Sequence, residues 1–253
     1  MEEKKQAEKI LSICLLAGKI MVQSGSEMYR VDDTMTRMAN ASGLENVNVF
    51  STPTAIALGI DGSSGMQLKQ IKTRTINLEK VNRVNELSRK YVAGDISLDE
   101  LAIKLRYIEE DVRDFPFWLQ AISAAVVSST LMILFVDEYD WVDFPISAVL
   151  GTVAFVLYTI ANKKLKLKFM SEFFSSIVVG LLTVLGVRLG LGHNVDNILV
   201  GAVMPLVPGV PLTNSLRDLL ESHLLAGIAR GVEALLSALA IGIGIAVVLK
   251  IFL

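Results

Sequence analysis

Charge is scarce in the second part of this sequence. Residues 1–116 hold 33 of its 50 Asp, Glu, Lys and Arg residues, and the other 137 residues hold 17. Phe117 to Val136 has none in 20 positions, about the length a helix needs to cross ~30 Å of hydrocarbon. At 52% hydrophobic and a mean hydropathy of +0.52, the chain is too apolar for one water-soluble domain and too charged to lie wholly in a membrane. Cysteine is nearly absent. Cys14 alone cannot form an intrachain disulfide and reads as a small hydrophobe on a helix face. A basic excess is missing too, with 16 Lys and Arg against 17 Asp and Glu in residues 1–116, which argues against nucleic acid as a partner. His193 and His223 stand far from any metal-ligand spacing, so no metal and no cofactor is expected. There is no G-x-x-x-x-G-K-[ST], no G-x-G-x-x-G after a strand, no H-E-x-x-H and no G-x-S-x-G. An enzyme is not expected.

What is present begins with an ordinary polar segment. Ile10, Ile13, Cys14, Ala17, Ile20 and Met21 form one 3.6-residue stripe, and residues 4–23 and 26–42 predict two amphipathic helices. Ser24 and Glu27 between them have capping-box spacing. Period two then takes over. Residues 46–51, 55–60 and 66–73 predict strands, joined by Thr52-Pro53-Thr54 and by a turn over 61–65. Helices follow at about 77–93 and 97–111, the second opened by Ser97 with Glu100 three positions on. The short apolar stretch 10–18, bracketed by Lys9 and Lys19, does not read as a signal peptide. The expected fold class is an α+β soluble N-terminal domain (αα-βββ-αα) over residues 1–116, cytoplasmic, followed by an all-α transmembrane domain of four to five helices over residues 117–253.

Spans are expected at 117–136, 145–161, 170–191, roughly 194–207 and 224–249. The fourth is short and is broken by Pro205, Pro208, Gly209 and Pro211; the C-terminus lies outside if it crosses and inside if it is re-entrant. The loop after the first span, 137–143, has four acids and no base, and the next, 162–168, has four lysines and no acid. Positive loops stay inside, which orients the soluble domain toward the cytoplasm; Tyr139 and Trp141 suit an interfacial belt. Ala121, Ala125 and Ser129 form one small-residue stripe, and Ala234, Ala238, Gly242 and Ala246 another. Such stripes let helices approach closely in lipid and are expected to meet a second subunit.

Val207 to Asp218 is the densest candidate site. Its prolines and Gly209 free backbone groups that are tolerated at membrane depth only against protein or water. Asn214 and its neighbours supply cap candidates for a new helix, whose N-terminus suits a substrate carboxylate, and Arg217 could add a bidentate contact. The plainer alternative is a cytoplasmic loop with a salt-bridged Arg217–Asp218 edge. Arg230 and Glu233 are either a functional intramembrane pair or an interfacial i,i+3 pair.

These residues resemble the threonine/serine exporter (ThrE-like) family. Ser24-Gly-Ser-Glu-Met-Tyr-Arg-Val-Asp-Asp33, Phe50-Ser-Thr-Pro-Thr54, Pro208-Gly-Val-Pro-Leu-Thr-Asn-Ser-Leu-Arg-Asp218 and Leu225-Ala-Gly-Ile-Ala-Arg-Gly-Val-Glu-Ala234 carry the resemblance, which covers nearly the whole chain. It implies that Pro208, Gly209, Asn214, Arg217, Asp218, Gly227, Arg230 and Glu233 are functional positions. Single-chain members carry a second membrane half. Split members are similar to this chain and act with a small separate membrane subunit, so the resemblance implies a partner of four to five spans, with a homo-oligomer as a further arrangement. The implied function is secondary export of a small carboxylate, threonine/serine-like or a dicarboxylate, driven by an ion gradient. A membrane-anchored metabolite sensor or scaffold is the alternative.

Overall fold

The computed structural model describes residues 2–62, 65–112, 114–136, 140–165 and 169–252. Ser63 and Ser64 of the expected turn, Asp137, Glu138 and Tyr139 of the acidic loop, and Lys166 and Lys168 of the basic one lie outside the described residues. In chain order the elements are α1 Glu2–Gln23, α2 Met28–Ala41, β1 Val47–Ser51, β2 Ala55–Ile60, β3 Met66–Gln70, α3 Leu78–Val92, α4 Leu98–Glu110, α5 Phe117–Phe135, α6 Phe144–Leu165, α7 Met170–Arg188, α8 Val195–Val203, a 3-10 turn Met204–Leu206, α9 Gly209–Leu220 and α10 Leu224–Phe252.

The expected fold class needs correction. The chain does not fold as an α+β soluble domain followed by a separate transmembrane domain. One compact unit joins residues up to Asp114 with Val210–Val232, and the other joins Phe115–Gly209 with Glu233–Leu253. Helix dominates both, with a sheet of only three short strands among the described residues. The reason is packing: α9 and the head of α10 are amphipathic and carry buried charge, and they complete the first unit although 95 residues separate them from Asp114.

In the first unit the α1 stripe Ile10, Ile13, Cys14, Ala17, Ile20 and Met21 is buried throughout. Gly18 admits Met35 of α2, since a Cβ there would lie 2.3 Å from Met35 Sδ. The sheet is antiparallel in the order β1-β2-β3, with Val47 opposite Ile60 and Ala55 opposite Gln70. Central β2 buries Ile56 and Leu58. Ser97 caps α4 as expected, accepting from Glu100 N–H, and Asn77 caps α3. The expected Ser24–Glu27 box does not form: Glu27 is the N-cap of α2 without a side-chain cap bond. Gly25 turns the chain there at a φ of +89°, a conformation open to glycine at little cost.

The second unit is apolar outside, and inside it sets small and polar residues beside an apolar cluster that includes Leu150, Ile198, Leu206 and Ile241. Trp118, Ile122, Val126, Leu185, Leu239 and Ile243 are exposed, whereas Ser128, Ser147, Ser175, Ser176, Thr183 and Ser237 are buried. That inversion belongs to helices solvated by lipid, where close packing replaces the hydrophobic effect. A Cβ on Gly151 would meet Ser128 Oγ at 1.7 Å, and one on Gly201 would meet Ser147 Oγ at 2.2 Å. Asp143, fully buried, ties the start of α6 to the start of α8 by accepting from His193 N–H at 2.6 Å and Asn194 N–H at 2.8 Å.

Four helices, α5, α6, α7 and α10, are long and apolar enough to cross a membrane, and a fifth span exists only if α8 and α9 are taken as one broken segment. Pairings along α7 and α10 decide the matter. Ser237 meets Glu172, Val248 lies against Gly180, and Phe252 O accepts from Arg188, so the two helices run parallel. The chain therefore returns across the bundle between them, and α8 with its 3-10 turn begins that return. Those two elements span about 20 Å by their rises, short of ~30 Å.

Apart from Ala234, the expected small stripe is not the buried face of α10. Its buried face is Ala234, Ser237, Ile241, Gly244 and Val248, while Ala238, Gly242 and Ala246 are exposed. Gly151→Ala is expected to lower the melting temperature in detergent, because overpacking costs about 1–3 kcal/mol. Gly242→Ala has nothing within 4 Å to meet and is expected to leave that temperature unchanged or raised. Equal behaviour of the two would contradict the packing described.

Candidate functional site

Five of the expected site residues meet in the first unit, around the turn that ends α1. Asn214 does not cap a new helix, because α9 already begins at Gly209. It lies within α9, and its Nδ2 donates to Gly25 O at 2.8 Å. One turn on, Arg217 and Asp218 point to different partners. Arg217 Nη1 binds Glu27 Oε1 at 2.6 Å. Glu27 also holds Arg30, whose Nε lies 3.2 Å from Oε2, so one carboxylate sits between two guanidiniums.

Asp218 is fully buried. Its Oδ1 accepts from Met28 N–H at 2.8 Å and its Oδ2 takes Arg230 Nη1 at 3.0 Å. Met28 is the first residue of α2, whose opening N–H groups have no partner within the helix. A carboxylate 190 residues away thus does the work that Ser24 was expected to do. Arg230, 6% exposed, spends Nη2 on Ser26 O at 2.8 Å. Ser215 Oγ donates to Gly227 O at 2.7 Å, and Gly231 leaves room for that hydroxyl, since a Cβ there would lie 2.7 Å from it. The Arg217–Asp218 edge read from the sequence does not form: Arg217 pairs with Glu27, and Asp218 with Arg230. Glu233 is half-buried and falls in the second unit. Pro208 is half-buried and Gly209 exposed, at the start of α9.

Sequence reading missed Asp32 as part of this cluster. Its Oδ2 lies 3.9 Å from His223 Nδ1, and its Oδ1 is buried without a partner, as is Ser51 Oγ. Burial pushes the Asp32 carboxyl above the usual carboxylate range; nearby Ser51 and His223 temper the shift and Asp218 adds to it. The signal available was the position of Asp32, the first acid of Asp32-Asp33, on the α2 face that carries Met28 and Met35. Among the described residues no group of His, Cys, Asp and Glu could hold a metal ion.

The two ion pairs differ in environment, and so in what breaking them costs. Removing one partner of a buried pair costs about 3–5 kcal/mol, whereas an exposed pair is worth about 0–1 kcal/mol. Arg230→Ala, which strands a fully buried Asp218, is therefore expected to destabilise the protein strongly. Arg217→Ala, at a side chain 53% exposed, is expected to change stability little. Thermal unfolding of the purified variants checks this, and equal losses would contradict the assigned burial.

Comparison with known proteins places this geometry. Residues 12–252 match the ThrE family, described as "Putative threonine/serine exporter". "Probable succinate transporter subunit YjjP" of Escherichia coli (strain K12) is 26% identical, over 98% of this chain and 96% of its own length. The protein of the same name from Klebsiella aerogenes is 24% identical, over 96% and 94%. No solved structure matches the chain. The motifs of the Gly25 turn and of α9–α10, which resemble that family in sequence, are the two sides of one hydrogen-bonded cluster. The chain belongs to the ThrE family of exporters and is a multi-pass membrane transport protein, not an enzyme.

Proposed function

We propose that the chain is one subunit of a secondary exporter that moves a small carboxylate-bearing metabolite, threonine/serine-like or a dicarboxylate such as succinate, across the cytoplasmic membrane. The observation that carries this reading is coverage: an exporter family matches residues 12–252, and relatives named as succinate transporter subunits align over 98% and 96% of the chain. Both substrate classes present a carboxylate, and Arg217 is the residue assigned to it. Its guanidinium is half-exposed and already holds the Glu27 carboxylate, whose place a substrate carboxylate could take by exchange. Asn214, Asp218 and Arg230 hold α9 in position for that contact. Pro208 and Gly209 set where α9 starts, and Glu233 lies near the head of α10.

The first unit faces the cytoplasm in this reading, and the second lies in the bilayer beside a separate subunit of four to five spans. The word "subunit" in the relatives' names supports a partner. The exposed Ala238, Gly242 and Ala246 face of α10 is where it would pack. Gly242→Leu is then expected to reduce recovery of the partner and efflux together, although the chain's own fold gives that side chain open space. Unchanged recovery and efflux would assign this face to lipid.

Topology is tested by cysteine labelling in intact cells, since Cys14 is buried. Cysteine at Val142, 56% exposed, is expected to react with an impermeant thiol reagent, and cysteine at Met170, 41% exposed, is not. The reverse pattern contradicts the export direction. Efflux of radiolabelled threonine and succinate from loaded cells tests the function itself. Charged hydrogen bonds are worth roughly 1.5–3 kcal/mol, so Arg217→Ala should slow efflux about tenfold or more. Arg217→Lys should slow it less, since it keeps the charge and loses the two-donor fork. Wild-type efflux from a stably inserted Arg217→Ala protein would move the site elsewhere.

A further inference from the structure

We propose that Glu172 is a proton-binding site inside the membrane unit, and that its protonation cycle couples substrate export to entry of protons; this rests on the transport reading above. Glu172 stands in the first turn of α7. An acid there ordinarily lies exposed and complements the helix dipole. This one is 6% exposed and faces α10. Ser237 Oγ lies 3.4 Å from Oε1, a long contact, and Oε2 is buried with no partner. Ser175, one turn further on the same face and 2% exposed, also has a buried hydroxyl with no partner. Ser171 and Ser176 beside them are fully buried. A polar seam of hydroxyls around one orphan carboxylate is therefore built into the α7–α10 contact. Above it the contact closes to Gly244, where a Cβ would lie 2.0 Å from Ser176 Oγ, and to Gly180 against Val248.

Among the described residues, the groups around Glu172 do not balance its charge. From α6 the half-buried Tyr158 lies within electrostatic reach, while Lys163 and Lys164 in the last turn are exposed. From α10 come Ser237 and, one turn earlier, half-buried Glu233; Lys250 is exposed at the far end. On α8 the ionisable residue is Asp196, exposed at the opposite end, and on α7 itself it is Arg188 at the last position, donating to Phe252 O. Among the described residues no cation pairs with Glu172. Intramembrane acids that face a bundle interior mark ion paths. A metal cation is a poorer fit. It needs a shell of oxygens, and the carbonyls of α7 and α10 are spent within unbroken helices.

The proton balance is simple. The Glu172 carboxylate takes one proton from the outer side to become the acid, and gives up that proton to the inner side when the substrate has moved the other way. The test uses inside-out vesicles from the native host carrying each variant of the full chain, energised by respiration and supplied with labelled succinate or threonine. Probe addition is expected to discharge the pH gradient, read by an acridine dye, with wild-type chain. Glu172→Gln should lose the discharge to the level of vesicles lacking the chain, yet still exchange labelled probe across the membrane. Glu172→Asp should retain the discharge with its half-maximal pH displaced, which a purely structural side chain would not produce. Discharge by Glu172→Gln at the wild-type rate overturns the proposal. So does discharge that requires sodium, or loss of exchange in both variants, which would make the carboxylate structural. Wild-type vesicles that exchange a probe without moving protons also overturn it and leave the transport reading standing. Failure of wild-type exchange for both probes sinks the transport reading first.

Discussion

The first unit depends on one buried contact, the Asp218 carboxylate held between Arg230 and the opening N–H of α2. A buried ion pair gains little net stability, because desolvation cancels most of the attraction. What this one supplies is a single allowed arrangement. Asp218 fixes where α2 starts, Arg230 takes the Ser26 carbonyl, and Asn214 takes the Gly25 carbonyl. A turn made of Gly25, Ser26 and Glu27 has no apolar side chain to anchor it. Its polar backbone is satisfied from the α9–α10 hairpin, so the α1–α2 corner and that hairpin define each other.

The second unit rests on the opposite physics. Lipid offers no gain for burying leucine, so many leucines, isoleucines and phenylalanines are left on the outside, and glycine and serine share the interior with an apolar cluster that includes Leu150, Ile198, Leu206 and Ile241. Glycine at 151, 201 and 244 sits against serine at 128, 147 and 176 in turn, pairing absent side chains with the smallest polar ones. Several serine hydroxyls bond back to carbonyls of their own helices, as Ser129 does to Ala125 and Ser176 to Phe173, whereas those of Ser128 and Ser175 are buried without a partner. Glu172 adds a carboxylate to that interior.

Much of the local structure was legible. The stripe from Ile10 to Met21, the caps at Ser97 and the four uninterrupted apolar runs each depend on neighbours within a turn or two, which periodicity reads directly. The division into units was not. Residues 210–232 belong with the N-terminal segment because of Asp218, Arg230 and Asn214, and nothing local in the sequence says which distant carbonyl a buried arginine will find. For the same reason Arg217–Asp218 looked like a neighbouring pair, when Arg217 is held by Glu27 and Asp218 by Arg230 and the Met28 N–H. Glu172 escaped notice because it sits at the edge of an apolar run beside lysines, where an acid usually reads as interfacial. Only the burial of its helix face reveals otherwise.

Completion of the first unit by residues 210–232 has a bearing on how the protein is made. A ribosome adds roughly 5–20 residues per second, so the segment up to Asp114 leaves the tunnel seconds before its missing hairpin exists. In that interval the spans of the second unit are synthesised and handed to the membrane. The Gly25 corner meanwhile has no Asp218, Arg230 or Asn214 to satisfy it, and water must serve instead. The N-terminal segment is thus kept unfinished until nearly all the spans have been threaded. A chain that stopped before residue 210 would leave a half-built unit with an open polar corner, a form that quality-control proteases can distinguish from the finished protein.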